Sequence, residues 1–498
     1  MKRSEQERPL HLFSVPDVAA STRAGPLPVT FAFTALVPYI PDRMSASMKR
    51  ARADVLDRSA RGQLALAVLA CAVLTILAHY PGQMSVDTVL QLYDGHTRAY
   101  VSNQPPSMSL LLASLTPGGM LILDVALYAT SVMVLLAPAA VSVRRKLAVA
   151  VLLFFYPVVG LYNGILWKDV LFANLALLGF LLLPALSTQR RWRRLVLSGA
   201  LFGVACQVRQ QGLTAAVAAA LAVPLIAPQR GGWRTRFGEL ACWGGGWVAA
   251  SLLAIAAVTV TAVRQESVST IGPLYQIAVF DLAGITAHTS GLGHPLLERA
   301  GVDRAALHRK FSRYDPSRED TLAEDAGTRD PLYGVDLPTL SRAWWSAVRQ
   351  HPEAYLLHRL DAFAWLLGLH AVTECLPIYS GISAQPAKMV HELGLRSGVS
   401  RRAKALAAVE WRLLFLYHPI AYALVSVSLI GCFLRRNRAR HAAMFWLQIS
   451  GVAYLAQYLV ISIACDFRYA YFTVLAAVFG VAHTFIHGLS DRASVAPR

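Results

Sequence analysis

Apolar runs of roughly 15–24 residues, about the length that crosses ~30 Å of hydrocarbon, recur along this chain from Gln63 to Ile486. Short loops crowded with arginine separate several of them: Arg144-Arg145-Lys146, Arg190 to Arg194, Arg230 to Arg236 and Arg435 to Arg440. With 55% hydrophobic and only 15% charged residues, the composition is not that of an ordinary soluble domain. An outer-membrane barrel would show short segments of alternating hydrophobicity instead. The chain reads as an all-α polytopic membrane protein.

A formal net charge of +18 raises nucleic acid as a partner, but the placement of the charge argues against it. Basic clusters confined to short loops are the positive-inside pattern, which sets orientation and attracts anionic lipid. Combined with the apolar runs, the pattern predicts about ten spans with both termini cytoplasmic. They lie near Gln63–His79, Met120–Val141, Leu147–Leu161, Val170–Leu186, Leu195–Val208, Leu213–Ala227, Leu240–Val263, Leu413–Leu434, Ala442–Ala464 and Phe472–Ile486.

Residues 1–62 read as a disordered basic cytoplasmic tail, and 63–263 as a seven-helix core that includes the first outer loop. Residues 264–410 read as a long outer-face segment rich in acids, among them Asp315, Glu319, Asp320, Glu324, Asp325 and Asp330. Within it, His351 to Leu369 has helical apolar spacing broken by Arg359 and Asp361, the pattern of an amphipathic interfacial helix. A further span near residues 355–372 would change the count. Three helices then close the bundle over 411–487, and 488–498 form a cytoplasmic tail.

That topology sorts the polar motifs. Asp87 and Asp94, Lys168-Asp169, Arg209, and Asp466-Phe467-Arg468-Tyr469 all fall at the outer ends of spans. Charge near hydrocarbon costs about 2.5–3.5 kcal/mol at the bilayer centre, so such groups pair or line a cavity. The bland alternatives are that each snorkels to the interface, and that Asp87 only caps a short helix at Ser85-Val86-Asp87. Four loops sharing one pattern favour a common pocket.

Other motifs carry less. Gly244-Gly245-Gly246 lies inside an apolar helix with no strand before it and no lysine after it, so it serves packing and not phosphate. His358, His370 and His391 lack ligand spacing, and no metal site is expected. Cys71, Cys206, Cys242 and Cys432 sit in apolar runs as small hydrophobes. Only Cys375 and Cys465 would meet an oxidising compartment, and a bridge between them stays open.

The layout resembles the GT-C superfamily of polytopic glycosyltransferases, which take a sugar from a polyprenyl-phosphate carrier at the outer membrane face. The resemblance rests on Tyr80-Pro81-Gly82-Gln83-Met84-Ser85-Val86-Asp87 with Gln104-Pro105-Pro106, and on Leu166-Trp167-Lys168-Asp169. It continues in His351-Pro352-Glu353-Ala354-Tyr355 and in Cys465-Asp466-Phe467-Arg468-Tyr469. Gln104 replaces the histidine that related sequences often carry before proline. Asp87 has no adjacent acidic partner, which leaves metal dependence open. The resemblance implies a bacterial inner-membrane enzyme with Asp87 as catalytic base, and neither organic cofactor nor metal is called for. Arg209, Arg468 and Lys168 would bind the carrier phosphate, with Asp169, Asp466, Asp94 and Tyr469 in the same substrate-binding set. The acceptor would be a glycan, lipid or protein of the cell envelope. Two other classes compete: a transporter or flippase for a lipid-linked or anionic substrate, and a non-catalytic envelope-assembly protein.

Overall fold

The computed structural model describes residues 46–100, 104–183, 191–226, 232–262, 272–289, 292–323, 329–435 and 438–494. Contacts divide the chain into residues 1–56 and 57–498, and the helical bundle belongs to the second unit. Residues 1–45 of the expected tail, the 488–498 side chains, and Arg190, Arg230, Glu324, Asp325, Arg436 and Asn437 lie outside the described residues or side chains. The protein is all-helical, 78% helix, with no strand among the described residues.

α1 (Ala46–His79) carries the apolar stretch Arg58–His79 and begins well inside the expected tail; the short α2 (Val86–Thr97) follows. α3 (Pro106–Leu136) covers most of the second expected span and starts well before it, bending at Thr116 (φ 62°) before Pro117. The third expected span is not one helix. It divides at Tyr156 into α4 (Val143–Phe155) and α5 (Pro157–Tyr162), because proline holds the preceding residue extended. α6 (Lys168–Leu182), α7 (Arg191–Val208), α8 (Leu213–Ile226) and α9 (Trp233–Thr261) complete the first bundle.

Next come α10 (Pro273–Ala287), α11 (Pro295–Arg299), α12 (Arg304–Phe311), α13 (Leu337–Gln350), α14 (Pro352–Leu366), α15 (Ala387–Glu392) and α16 (Arg401–Trp411). α17 (Pro419–Arg435) starts later than expected, at the proline. α18 (Arg438–Ala456), α19 (Tyr458–Ile461) and α20 (Tyr471–Ser494) close the chain.

Five stretches are long and apolar enough to cross a membrane: Arg58–His79, Pro106–Leu136, Trp233–Thr261, His441–Ile461 and Phe467–His487. The other expected spans fall on shorter helices. Large apolar side chains face outward along the long ones, with Leu253 72% and Val260 85% exposed. An apolar surface of that extent suits lipid and not water.

α6 is the hub of the bundle. Every residue from Asp169 to Phe180 is buried, as expected of a helix apolar all round, and α3, α7, α18 and α20 pack on it. α7 and α9 touch along small residues: a Cβ on Gly246 would collide with the Val196 carbonyl, and one on Gly199 with that of Trp243. The glycine run therefore does serve packing, through Gly246.

A second core gathers α10, α12, α13 and α14. Here the amphipathic reading of residues 351–369 is turned over. His358 and Arg359 point inward, whereas Leu356, Leu357 and Leu360 are exposed. The inward pair is held by Asp281 of α10, which accepts from His358 Nε2 at 2.9 Å and Trp344 Nε1 at 2.8 Å and is ion-paired with Arg359 Nη2 at 2.7 Å. A strongly one-sided helix lies one step earlier instead, in α13, which buries Leu340, Ala343 and Ala347.

Candidate active site

After a turn at Tyr80-Pro81, Gln83 and Met84 run between two other loops. Gln83 N–H donates to the Gly164 carbonyl and Leu166 N–H to that of Gln83, both at 2.9 Å. On the other side Met84 N–H donates to the Gly381 carbonyl at 2.9 Å, and Ser383 N–H to that of Met84 at 2.8 Å. Gly82 makes this possible: its φ is +111°, and a Cβ there would sit 2.7 Å from Leu166. The clamp delivers Asp87 to the first turn of α2. Ser85, at the N-cap position, makes no side-chain cap and instead accepts from Trp167 Nε1 at 2.8 Å. Asp87 is thus no mere cap.

Its carboxylate meets the far end of the sequence. Arg468 Nη1 donates to Asp87 Oδ2 at 2.6 Å, and Arg468 Nη2 pairs with Asp466 Oδ2 at 2.8 Å. The guanidinium lies 5.2 Å from the Trp167 ring and 5.5 Å from that of Tyr469. Arg209 stands deeper. It sits on one extended residue (φ −146°, ψ 113°) between α7 and the turn Gln210–Gly212, which frees its side chain toward α6. It is ion-paired with Asp169, donates through Nη2 to the Tyr458 hydroxyl at 2.5 Å, and lies 5.1 Å from the same Tyr469 ring. Lys168 completes the group, its ammonium 3.3 Å from Gln104 Oε1, which also accepts from Gln91 Nε2 at 2.7 Å.

Exposure grades across the cluster. Asp87 is 32% and Arg468 14% exposed, whereas Arg209 and Asp169 are 3% and 2%. Of these four the Asp87 carboxylate is the most exposed, and the Asp169–Arg209 pair is almost wholly buried. Burial acts to raise the Asp87 carboxyl, but Arg468, Lys168 and Arg209 outweigh it and hold the group below the usual carboxylate range. Burial pushes Asp466 up, and pulls the Lys168 ammonium down to about 8 with help from the like charge of Arg209. Charges of Asp87, Asp169 and Asp466 balance those of Lys168, Arg209 and Arg468, yet Nε of each arginine makes no hydrogen bond. The cluster thus keeps strong N–H donors unspent, the equipment for an anion.

Asp94 does not join them. It is buried on α2 against α3, one oxygen without a partner, and burial raises its carboxyl to about 6. His351 only opens α14.

Sequence reasoning leaves the status of Cys375 and Cys465 open; they form a disulfide, with Cα atoms 5.0 Å apart. The bridge ends beside Asp466. Three further ties hold that segment: Arg359 Nη1 to the Ser462 carbonyl at 2.7 Å, Glu319 N–H to that of Ile463 at 2.7 Å, and Cys465 N–H to that of Ser317 at 2.9 Å. Sequence reasoning also passes over Trp167, Tyr458 and Asp124. Trp167 is visible within Leu166-Trp167-Lys168-Asp169, and Asp124 as a lone acid inside an apolar run. Tyr458 carries no local signal. Among the described residues no His, Cys, Asp and Glu side chains gather as a metal site. Comparison of the chain with protein-family models, curated proteins and solved structures finds no match.

Proposed function

We propose that the chain is a membrane glycosyltransferase of the GT-C type, moving a sugar from a polyprenyl-phosphate carrier to a cell-envelope acceptor at the outer face of the bacterial inner membrane. What carries the reading is the meeting of Asp87 with Arg468, beside Arg209 and Lys168, at the end of an apolar bundle. The disulfide next to Asp466 suits an oxidising, non-cytoplasmic face. On this reading about ten apolar segments are membrane-embedded, the shorter helices buried within the bundle.

In a single displacement the acceptor hydroxyl gives its proton to Asp87 while its oxygen bonds to the anomeric carbon. The bond from that carbon to the carrier phosphate breaks, its electron pair staying on the phosphate oxygen. Arg468, Arg209 and Lys168 stabilise the growing charge. Before the donor engages, Arg468 holds Asp87 ionised and weakly basic. A carrier phosphate that binds Arg468 competes with that grip and strengthens the base as the donor arrives.

A transporter or flippase for a lipid-linked or anionic substrate is favoured by one observation, the acid Asp124 buried inside α3. The test is sugar transfer by the full-length protein in vesicles loaded with polyprenyl-phosphate sugars. Asp87→Asn should slow transfer by about 10²-fold or more, with insertion unchanged. Asp94→Asn, outside the cluster, should keep the wild-type rate. Wild-type transfer by a well-inserted Asp87→Asn protein would remove the assignment.

A further inference from the structure

The second core carries a cavity of about 300 Å³, apart from the charged cluster. The end of α10, residues after it, α11 and α12 supply its wall, with Thr286, Thr289, Gly293, His294, Glu298 and Arg304. Thr286 Oγ1 donates to the Leu282 carbonyl at 2.7 Å, so it accepts from His294 Nε2 at 2.9 Å. Nδ1 of that ring is thereby left as an acceptor. Burial pulls His294 down to about 4, which keeps the ring neutral. Phe311 is also on the wall, edge-on to His294 with ring centroids 5.4 Å apart.

The charges around the cavity come in balanced pairs. Arg304 Nε stands 3.8 Å from Glu298 Oε1, beyond hydrogen-bond reach, so both keep their capacity for a ligand. A Cβ on Gly293 would lie 3.6 Å from that carboxylate oxygen and 3.7 Å from Arg304 Nη2, so the pair leans over bare backbone. His288, on the same wall, is matched by Asp361 at 3.3 Å. Such a lining favours neither an anion nor a cation. It sets a carboxylate, a guanidinium, a hydroxyl and a neutral imidazole beside the apolar Leu292, Leu307 and Phe311. A sugar ring matches that mixture, since its hydroxyls both donate and accept and its faces carry C–H. Ligand pockets run from ~300 to ~1,000 Å³, so this one has room for a single ring and not for a lipid.

We propose that this cavity holds an uncharged sugar ring, a distal unit of the glycan that accepts the transferred sugar. The sugar site stands by itself; only its place in the acceptor rests on the transferase reading. Asp87, Lys168, Arg209 and Arg468 lie off its wall, so the ring held here is not the ring that reacts. The test uses the purified full-length protein in a detergent without a sugar headgroup. Saturation-transfer NMR is recorded with the methyl glycosides of glucose, galactose, mannose and arabinose. At least one should bind, and Glu298→Gln should raise its half-saturating concentration about tenfold, as should Arg304→Met. With 32% and 70% of these side chains exposed, neither variant endangers folding. Failure of all four glycosides to bind would overturn the proposal, as would binding indifferent to both substitutions. So would a preference for methyl glucuronide over methyl glucoside, since the site would then take anions. No donor is present in these measurements, so the two readings fail separately. Glycoside binding that Glu298→Gln weakens, in a protein that transfers no sugar, removes the transferase reading and keeps the site. Sugar transfer by a protein that binds no glycoside removes the site alone.

Discussion

The almost wholly buried ion pair of Asp169 with Arg209 allows a double-mutant cycle. Two unit charges about 4 Å apart attract by ~4 kcal/mol at an effective dielectric of ~20, while burying each costs several kcal/mol. The intact pair is therefore close to neutral in net energy. Removing one partner is not. In Asp169→Asn, Arg209 loses its paired carboxylate and keeps the Tyr458 hydroxyl, the Tyr469 ring and the more distant charge of Asp87. With both side chains almost wholly buried, that orphaned charge should cost about 3–5 kcal/mol. Arg209→Met should cost a similar amount by stranding Asp169. The double variant should fall well short of their sum, leaving a coupling of about 3 kcal/mol. Equilibrium unfolding in mixed micelles measures all four corners. Single-variant costs that simply add would show the two side chains to be independent and refute the reasoning.

Two other outcomes are expected. Lys168 is pulled from 10.5 to about 8, so between those values the unfolded chain holds more protons and stability rises with pH, while the cation itself is lost as pH climbs through about 8. Carrier-phosphate affinity measured across pH ~7–9.5 should fall through that window, and Lys168→Arg, which stays charged, should flatten the fall. The Cys375–Cys465 bridge spans 90 residues, worth about 4–5 kcal/mol in the loop-entropy estimate. Cys375→Ser should lower the unfolding temperature and speed amide exchange over residues 462–468 while sparing α7 and α9; unchanged exchange there would deny the clamp.

Which parts were legible follows from how local each signal is. Run length and arginine placement point to the helical membrane class, because hydrocarbon thickness acts on contiguous residues. Asp87, Lys168, Asp169, Arg209, Asp466, Arg468 and Tyr469 could be gathered because each marks the end of an apolar run. Asp94 meets the same criterion and fails, since sequence distance from a span does not say which way a helix turns its side chain. α14 misleads for a related reason. Spacing shows two faces but cannot show that Asp281, far earlier in the chain, draws His358 and Arg359 inward. The Tyr156-Pro157 break is available from proline chemistry and is outweighed by the apolar run around it.

The inverted α14 bears on how the protein can be handled. Its core-side charges are satisfied by Asp281 and by the Ser462 carbonyl, and Leu356, Leu357 and Leu360 are exposed. A fragment spanning residues 272–411, excised as a lobe, would leave the Ser462 anchor behind and offer those leucines to buffer. Such a piece should pellet or cling to liposomes rather than behave as a free ectodomain.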